Sequence, residues 1–191
     1  MPLRTLIHDR QYTTGMELGV WRGAHAFGLL SSCPSLKRLW MIDPWRWDYC
    51  HFAVPPETPL PARMPPGWYH ATMGEAIDDQ AQLDDIALDV QARALHDYPG
   101  RALVLRMTSQ AARCYIAWNS LDFCYVDAIH LYGDVLDDLL GWWEHVKVGG
   151  IMSGDDFGSE FPGVEQAVTA FAAGLGLALH VEDGGFYWME K

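Results

Sequence analysis

Asp127, His130, Asp155 and Asp156 combine three carboxylates with one imidazole, the groups that hold cations and move protons. His130 stands three residues after Asp127, and Asp155 follows His130 by 25 positions. They lie in the stretches LDFCYVDAIHLY and GGIMSGDDF, each an apolar, β-branched or aromatic run that stops on acid. A buried parallel strand reads this way when carboxylates leave its C-terminal end. In an open α/β sheet, ligands bind outside those ends. Two neighbouring strands of this kind would gather three carboxylates and one imidazole around a single point. Like charges that close disfavour joint ionisation, so such a cluster needs a cation or must keep some protons. The expected chemistry is a divalent metal beside a general base, with His130 able to accept a proton near neutral pH. Plain structural roles stay open beside this one. His130 could cap or pack, Asp127 could cap the helix after it, and Asp155-Asp156 could be a turn.

A second constellation runs from Glu17 to Asp43. ELGVWRG, residues 17–23, reads as a strand end, a tight turn and a helix start. That order places backbone N–H groups and a helix N-terminus beside a ligand. Asp43 follows Gly23 by 20 residues, at the end of the next strand, where a carboxylate can accept from ribose hydroxyls. It also precedes Pro44, so a turn role is open to it. A dinucleotide site wants three glycines to hold a pyrophosphate. Here only Gly19 and Gly23 are present, and Trp21 stands at the middle position. Glu17, just before the first glycine, would repel a pyrophosphate. It suits a cationic cofactor such as the amino-acid end of S-adenosylmethionine.

These residues need a scaffold of alternating strands and helices. Strands are expected at 14–19, 38–43, 101–107 and 121–128, and one beginning at Ile151 after Gly149-Gly150. Helices are expected at 23–33, 71–97, 109–118, 132–146 and 163–174. The first of these is weakened by Gly28, and Thr108 or Ser109 caps the third. LALHVED, Gly184-Gly185 and FYWMEK read as a closing β-hairpin. The sum is a single α/β domain, 1–191, of repeated βα units ended by an antiparallel strand. Residues 44–70 break the pattern with seven prolines and six aromatic residues. A loop that long in a compact domain is usually functional. Its aromatic set, Trp45, Trp47, Tyr49, Phe52, Trp68 and Tyr69, suits a lid over a sugar or planar natural product. Packing back on the domain, or a dimer contact, is the plainer use.

Composition narrows the partners. The formal net charge of −12, with only 13 Lys and Arg, excludes a phosphate-tracking surface, so nucleic acid is not expected. No apolar run approaches the ~20 residues of a membrane helix, and MPLRTLIHDRQ lacks the apolar core of a signal peptide. Cys33, Cys50, Cys114 and Cys124 show no zinc spacing. Cys114 and Cys124 sit in apolar stretches and read as buried thiols, and the expected setting is the reducing cytoplasm. Tyr132 reads as packing at the helix start, with a substrate contact as the alternative, and the Trp142-Trp143 pair reads as packing. His25, His51, His70, His96, His145 and His180 read as surface or packing residues.

MELGVWRGAHAFGLL, LWMIDPW and LVLRMTSQAA together resemble the class I SAM-dependent methyltransferases. The run VDAIHLYGDVLDDLLGWWEHVKVGGIMSGDDF is similar to a subgroup with Asp-x-x-His after strand 4 and an acidic pair after strand 5. The metal-dependent macrolide-sugar O-methyltransferases (mycinamicin and macrocin enzymes) share it, as does a subgroup associated with cephalosporin modification. The resemblance implies a Rossmann-like, doubly wound fold: a mostly parallel seven-stranded sheet with an antiparallel last strand. It implies that Glu17, Gly19 and Gly23 line the methionine end of S-adenosylmethionine, Asp43 the ribose, and Ser109 the adenine. Asp127 would border the cofactor and, with Asp155 and Asp156, bind Mg²⁺, and His130 would be the base. The expected reaction is O-methylation of a sugar or other small natural product. N-methylation, a cephalosporin-type modification and a non-catalytic SAM-fold subunit are the alternatives. The sequence does not fix the oligomeric state; the resemblance leaves a homo-oligomer open, since dimers or higher forms are common among relatives.

Overall fold

A computed structural model of the chain describes residues 2–46 and 79–191. Most of the 44–70 segment, including Trp47, Tyr49, Phe52, Trp68 and Tyr69, therefore lies outside the described residues. So does the start of the helix expected at 71–97.

The chain opens with α1 (Pro2–Asp9), which the sequence reading above does not include. Leu3 and Ile7, one helical turn apart, are both fully buried beneath it. Next come β1 (Thr14–Leu18), α2 (Ala24–Ser32) and β2 (Arg38–Asp43). α3 (Gln80–Asp97) starts at Asp79, whose side chain accepts from the Gln82 N–H. That bond satisfies one of the first-turn donors a helix leaves open. β3 (Ala102–Arg106), α4 (Ser109–Ala112), β4 (Leu121–Val126) and α5 (Tyr132–Trp143) follow. β5 (Val146–Gly154), α6 (Pro162–Leu175), β6 (His180–Val181) and β7 (Tyr187–Glu190) complete the chain.

Seven strands form one sheet in the order β3-β2-β1-β4-β5-β7-β6. The first five are mutually parallel, and β7 runs antiparallel to β5 and to β6. The doubly wound fold with an antiparallel last strand is thus what the chain adopts. Strand residues alternate between two cores. Phe123 and Tyr125 pack with α1, α2 and α3, while Cys124 and Val126 pack with α5 and α6. The alternation is the period-two pleat of a strand covered on both faces.

Five expectations change. The helix expected at 109–118 is a single turn, Ser109–Ala112, capped by Thr108. Cys114, just beyond it, is exposed rather than buried, whereas Cys124 is buried. The helix expected to reach residue 146 ends at Trp143, and β5 already begins at Val146. Gly149-Gly150 lies within that strand, where the β4–β5 register shifts between Leu121 and Phe123. A bulge of this kind absorbs an extra residue without ending the strand. Tyr132, expected to pack, is exposed.

Asp122 fastens the start of β1 to β4 and β5. One of its oxygens accepts from the Thr13 and Thr14 backbone N–H groups at 2.7 and 2.8 Å. The other accepts from Lys147 Nζ at 2.6 Å. Burial alone would raise this carboxyl, but Lys147 and the two backbone donors outweigh it and hold it below its ordinary value. Its stabilisation is therefore fully present above the unfolded carboxylate pKa and is lost as pH falls through the lowered folded value. Asp122→Ala leaves those donors unpaired and is expected to cost about 2–4 kcal/mol in urea unfolding at neutral pH. The deficit should shrink in acid; a pH-independent deficit would contradict this account.

Candidate active site at the C-terminal ends of the parallel strands

The strand order reverses direction at β1, between β2 and β4, which is where open α/β sheets open a crevice. A cavity of about 420 Å³ lies there. It is within the size range of small-molecule and cofactor sites. Glu17, Gly19, Asp43, Ser109, Asp127 and His130 all line it. Residues far apart in sequence are thus gathered because each follows, or ends, a neighbouring parallel strand.

The glycine turn is locked on both sides. Gly19 N–H donates to Ile42 O of β2 and Asp127 N–H donates to Leu18 O of β1, both at 2.9 Å. Gly19 has φ +82°, and a Cβ there would sit 1.8 Å from Asp127 O. Only glycine lets the β1 turn pass this close to β4. Gly23, at φ +73°, heads α2, and a Cβ there would meet the Phe27 ring. Trp21, at the middle position, is itself left-handed at φ +51°. Its backbone N–H donates to Asp43 Oδ2 at 2.9 Å, and its carbonyl accepts from Trp45 Nε1 at 2.9 Å. The turn therefore keeps a glycine-like backbone at Trp21 through these bonds.

Asp43 ends β2 and also accepts from the Trp45 N–H at 2.8 Å through Oδ1. Burial pushes its carboxyl up, and the N–H groups of Trp21, Trp45 and Val20 pull it back without cancelling the rise. A carboxylate has about four acceptor positions, so with three N–H groups bound one position remains for a hydroxyl donor. Trp45 is itself buried, so this member of the aromatic loop belongs to the core and braces the turn.

Glu17 is buried and pairs with His25 in the first turn of α2, Oε2 to Nδ1 at 2.9 Å. Burial lowers His25, but the hydrogen bond and charge of Glu17 more than offset this, so His25 titrates above its ordinary value. His25 also lies against Tyr125, ring centroids 4.2 Å apart. It lines the cavity, although its sequence context reads as surface or packing. The available signal is its place two residues after Gly23, at a helix start facing an acidic strand end.

Asp127, His130 and Asp156 come together with one ligand atom each, all within 4.8 Å of one another. His130 Nε2 lies 2.7 Å from Asp156 Oδ2 and 3.8 Å from Asp127 Oδ1. Neither contact is an aligned hydrogen bond from that buried nitrogen. Burial lowers His130, but Asp127 and then Asp156 outweigh it and bring the imidazole up to about 9. The ring is held against Phe161, centroids 4.5 Å apart. Asp156 has φ +64°, a left-handed conformation uncommon for a residue with a side chain. Asp155 is placed differently. It accepts from Tyr125 Oη at 3.1 Å and from the Asp156 N–H at 3.0 Å, outside that three-residue group. Two carboxylates and a histidine nitrogen around one point fit a small, oxygen-seeking cation with an adjacent base.

A family model described as "Methyltransferase domain" matches residues 16–157. The chain belongs to that methyltransferase family. The matched span runs from β1 to just past the acidic pair after β5, so it contains every site residue expected from the sequence, while Phe161 lies beyond it. The O-methyltransferase NovP is similar in fold, with 18% identity and a TM-score of 0.65 over 98% of this chain and 76% of its own. CalS11, a calicheamicin methyltransferase, gives 19% and 0.63 over 98% of this chain and 77% of its own. A SAM-dependent methyltransferase from Aquifex aeolicus gives 12% and 0.57 over 97% and 87%. No curated protein matches the chain. The family fits the cavity: a buried acid at the glycine turn, a turn too tight for a Cβ, and a strand-end carboxylate are what S-adenosylmethionine asks of a site. No described helix is long and apolar enough to cross a membrane.

Proposed function

We propose that this SAM-dependent methyltransferase is an O-methyltransferase, assisted by Mg²⁺ and acting on a hydroxyl of a sugar or another small natural product. The observation that carries the reading is the convergence of Asp127, His130 and Asp156 beside the cofactor cavity. When bound, S-adenosylmethionine supplies an electrophilic methyl on a sulfonium, and a divalent cation polarises a hydroxyl. Glu17, Gly19 and Gly23 hold the methionine end of the cofactor, and Asp43 accepts from the ribose. Asp127 and Asp156 are the carboxylates that hold the cation, and Asp155 orients Asp156 through its backbone N–H. With the cofactor and the cation bound, the methyl would pass from the sulfonium to the acceptor oxygen, leaving the thioether, and His130 Nε2 would take the hydroxyl proton once the cation had offset the charge of Asp127 and Asp156. The ring's contact with Phe161 and its carboxylate neighbours hold it in place for that proton. A fixed base and acceptor lower the entropic barrier of an in-line displacement. CalS11, a TDP-rhamnose 3'-O-methyltransferase, is similar in fold and favours this acceptor class.

Calorimetric titration of S-adenosylmethionine, first with Mg²⁺ and then with EDTA, tests the reading. Saturable binding in both buffers is expected, with turnover of hydroxylated acceptors only when Mg²⁺ is present and a product heavier by one methylene. No binding in either buffer sinks it. Turnover indifferent to EDTA removes the metal from it.

A further inference from the structure

Ser109 holds a hydrogen-bonding polarity that is set from outside the cavity. Its Oγ donates to Asp138 Oδ1 and accepts from Trp142 Nε1 at 2.8 Å. Trp142 is fully buried and Asp138 is 4% exposed, so neither partner is exchanged readily for water. A hydroxyl has one proton and two lone pairs, and an indole N–H can only donate. Trp142 therefore fills one lone pair, Asp138 takes the proton, and a single lone pair is left. Ser109 and Asp138 both line the cavity that Glu17 and Asp43 line.

We propose that Asp138 is a positioning residue that makes Ser109 a hydrogen-bond acceptor, and so selects a 6-aminopurine over a 6-oxopurine as the cofactor's base. The inference rests on the reading that the adenine of S-adenosylmethionine lies against Ser109. A 6-amino group presents N–H donors, whereas a 6-oxo group presents an acceptor. Acceptor facing acceptor leaves both desolvated and unpaired, which is the costly arrangement. Burial raises the Asp138 carboxyl to about 6, offset in part by Ser109 and Arg113, and this still leaves it ionised at neutral pH. Arg113 Nη2 stands 3.6 Å from Asp138 Oδ1 but is engaged by the Asp137 carbonyl and carboxylate, at 2.8 and 2.7 Å. The charge on Asp138 is therefore only partly compensated and remains a strong acceptor for the Ser109 proton.

The test is calorimetric binding of S-adenosylhomocysteine and S-inosylhomocysteine to the full chain, its Asp138→Ala variant and its Ser109→Ala variant. The unaltered chain should prefer the adenosyl compound by roughly tenfold to hundredfold. Asp138→Ala frees the Ser109 proton to turn toward either base, so the ratio should fall to within about threefold, mainly through better inosyl binding. Ser109→Ala should reach a similar ratio by weakening the adenosyl compound, and it supports the same conclusion if Asp138→Ala does not fold. A merely structural role would weaken both compounds together and leave the ratio unchanged, which overturns the inference. An unaltered chain that binds neither compound removes the cofactor reading itself. One that binds both equally removes only the selection by Ser109.

Discussion

His130→Gln is expected to lower turnover by roughly 10³-fold while leaving S-adenosylmethionine affinity within about twofold. Glutamine keeps a polar side chain of similar reach but cannot accept and carry the acceptor's proton. The ring touches Asp127, Asp156 and Phe161, none of which supplies the methionine or ribose contacts assigned to Glu17 and Asp43. Steady-state kinetics and calorimetry on one preparation separate the two effects. A variant that loses affinity as much as turnover would make His130 a binding residue instead. The wild-type ring adds a titration. In metal-free protein its carbon-bound protons should titrate near 9 by NMR, because the two carboxylates hold the imidazolium. The folded value lies above the unfolded one. The stability from this pair is therefore fully present below about 6.5 and is lost as pH rises through about 9. Mg²⁺ at the carboxylates should move the midpoint downward, since it offsets the charge that raises the ring. A midpoint near 6.5 in metal-free protein would refute the charge contact described here.

Among the described glycines, Gly19→Ala brings the added carbon closest to a neighbouring atom, and that atom is backbone, so the substitution should be strongly damaging. The added carbon would lie 1.8 Å from Asp127 O, at a backbone φ of +82°. Both neighbours are backbone held in the sheet by 2.9 Å hydrogen bonds, so no side chain can swing aside. Either the β1 turn leaves β4, or Asp127 moves from its place beside His130. The left-handed conformation costs about 1–2 kcal/mol by itself, and the clash brings the total to roughly 3 kcal/mol or more. Thermal unfolding should show a loss of several degrees, and calorimetry a loss of S-adenosylmethionine affinity on the order of a hundredfold or more. A variant with unchanged unfolding temperature and affinity would mean that the turn is not the tight junction seen here. Gly28→Ala is the control, because a Cβ there meets nothing within 4 Å.

The scaffold is legible in the order of residues. Strand runs such as LDFCYV and RLWMID are apolar and β-branched or aromatic enough to be buried on both faces, and they alternate with helical segments. That order leaves few alternatives to a doubly wound sheet. It also determined which strand ends carry acid, because Asp43, Asp127 and Asp155-Asp156 each stop an apolar run. α1 went unread although Leu3 and Ile7 carry its helical spacing. The helix expected at 109–118 exceeds the single turn of α4 because SQAARCYIAW has helical propensity that its packing does not use.

Tertiary structure decided what propensity and spacing do not encode. It joined Asp156, not Asp155, to Asp127 and His130, because adjacent residues leaving a strand point in different directions and Asp156 turns back through a positive φ. It made His25 the partner of Glu17, since α2 returns its first turn against the end of β1. It also tied Ser109 to Asp138 and Trp142, 29 and 33 residues away on α5. A strand end fixes where a side chain starts. The neighbour it meets is set by the crossover connections that bring distant segments together.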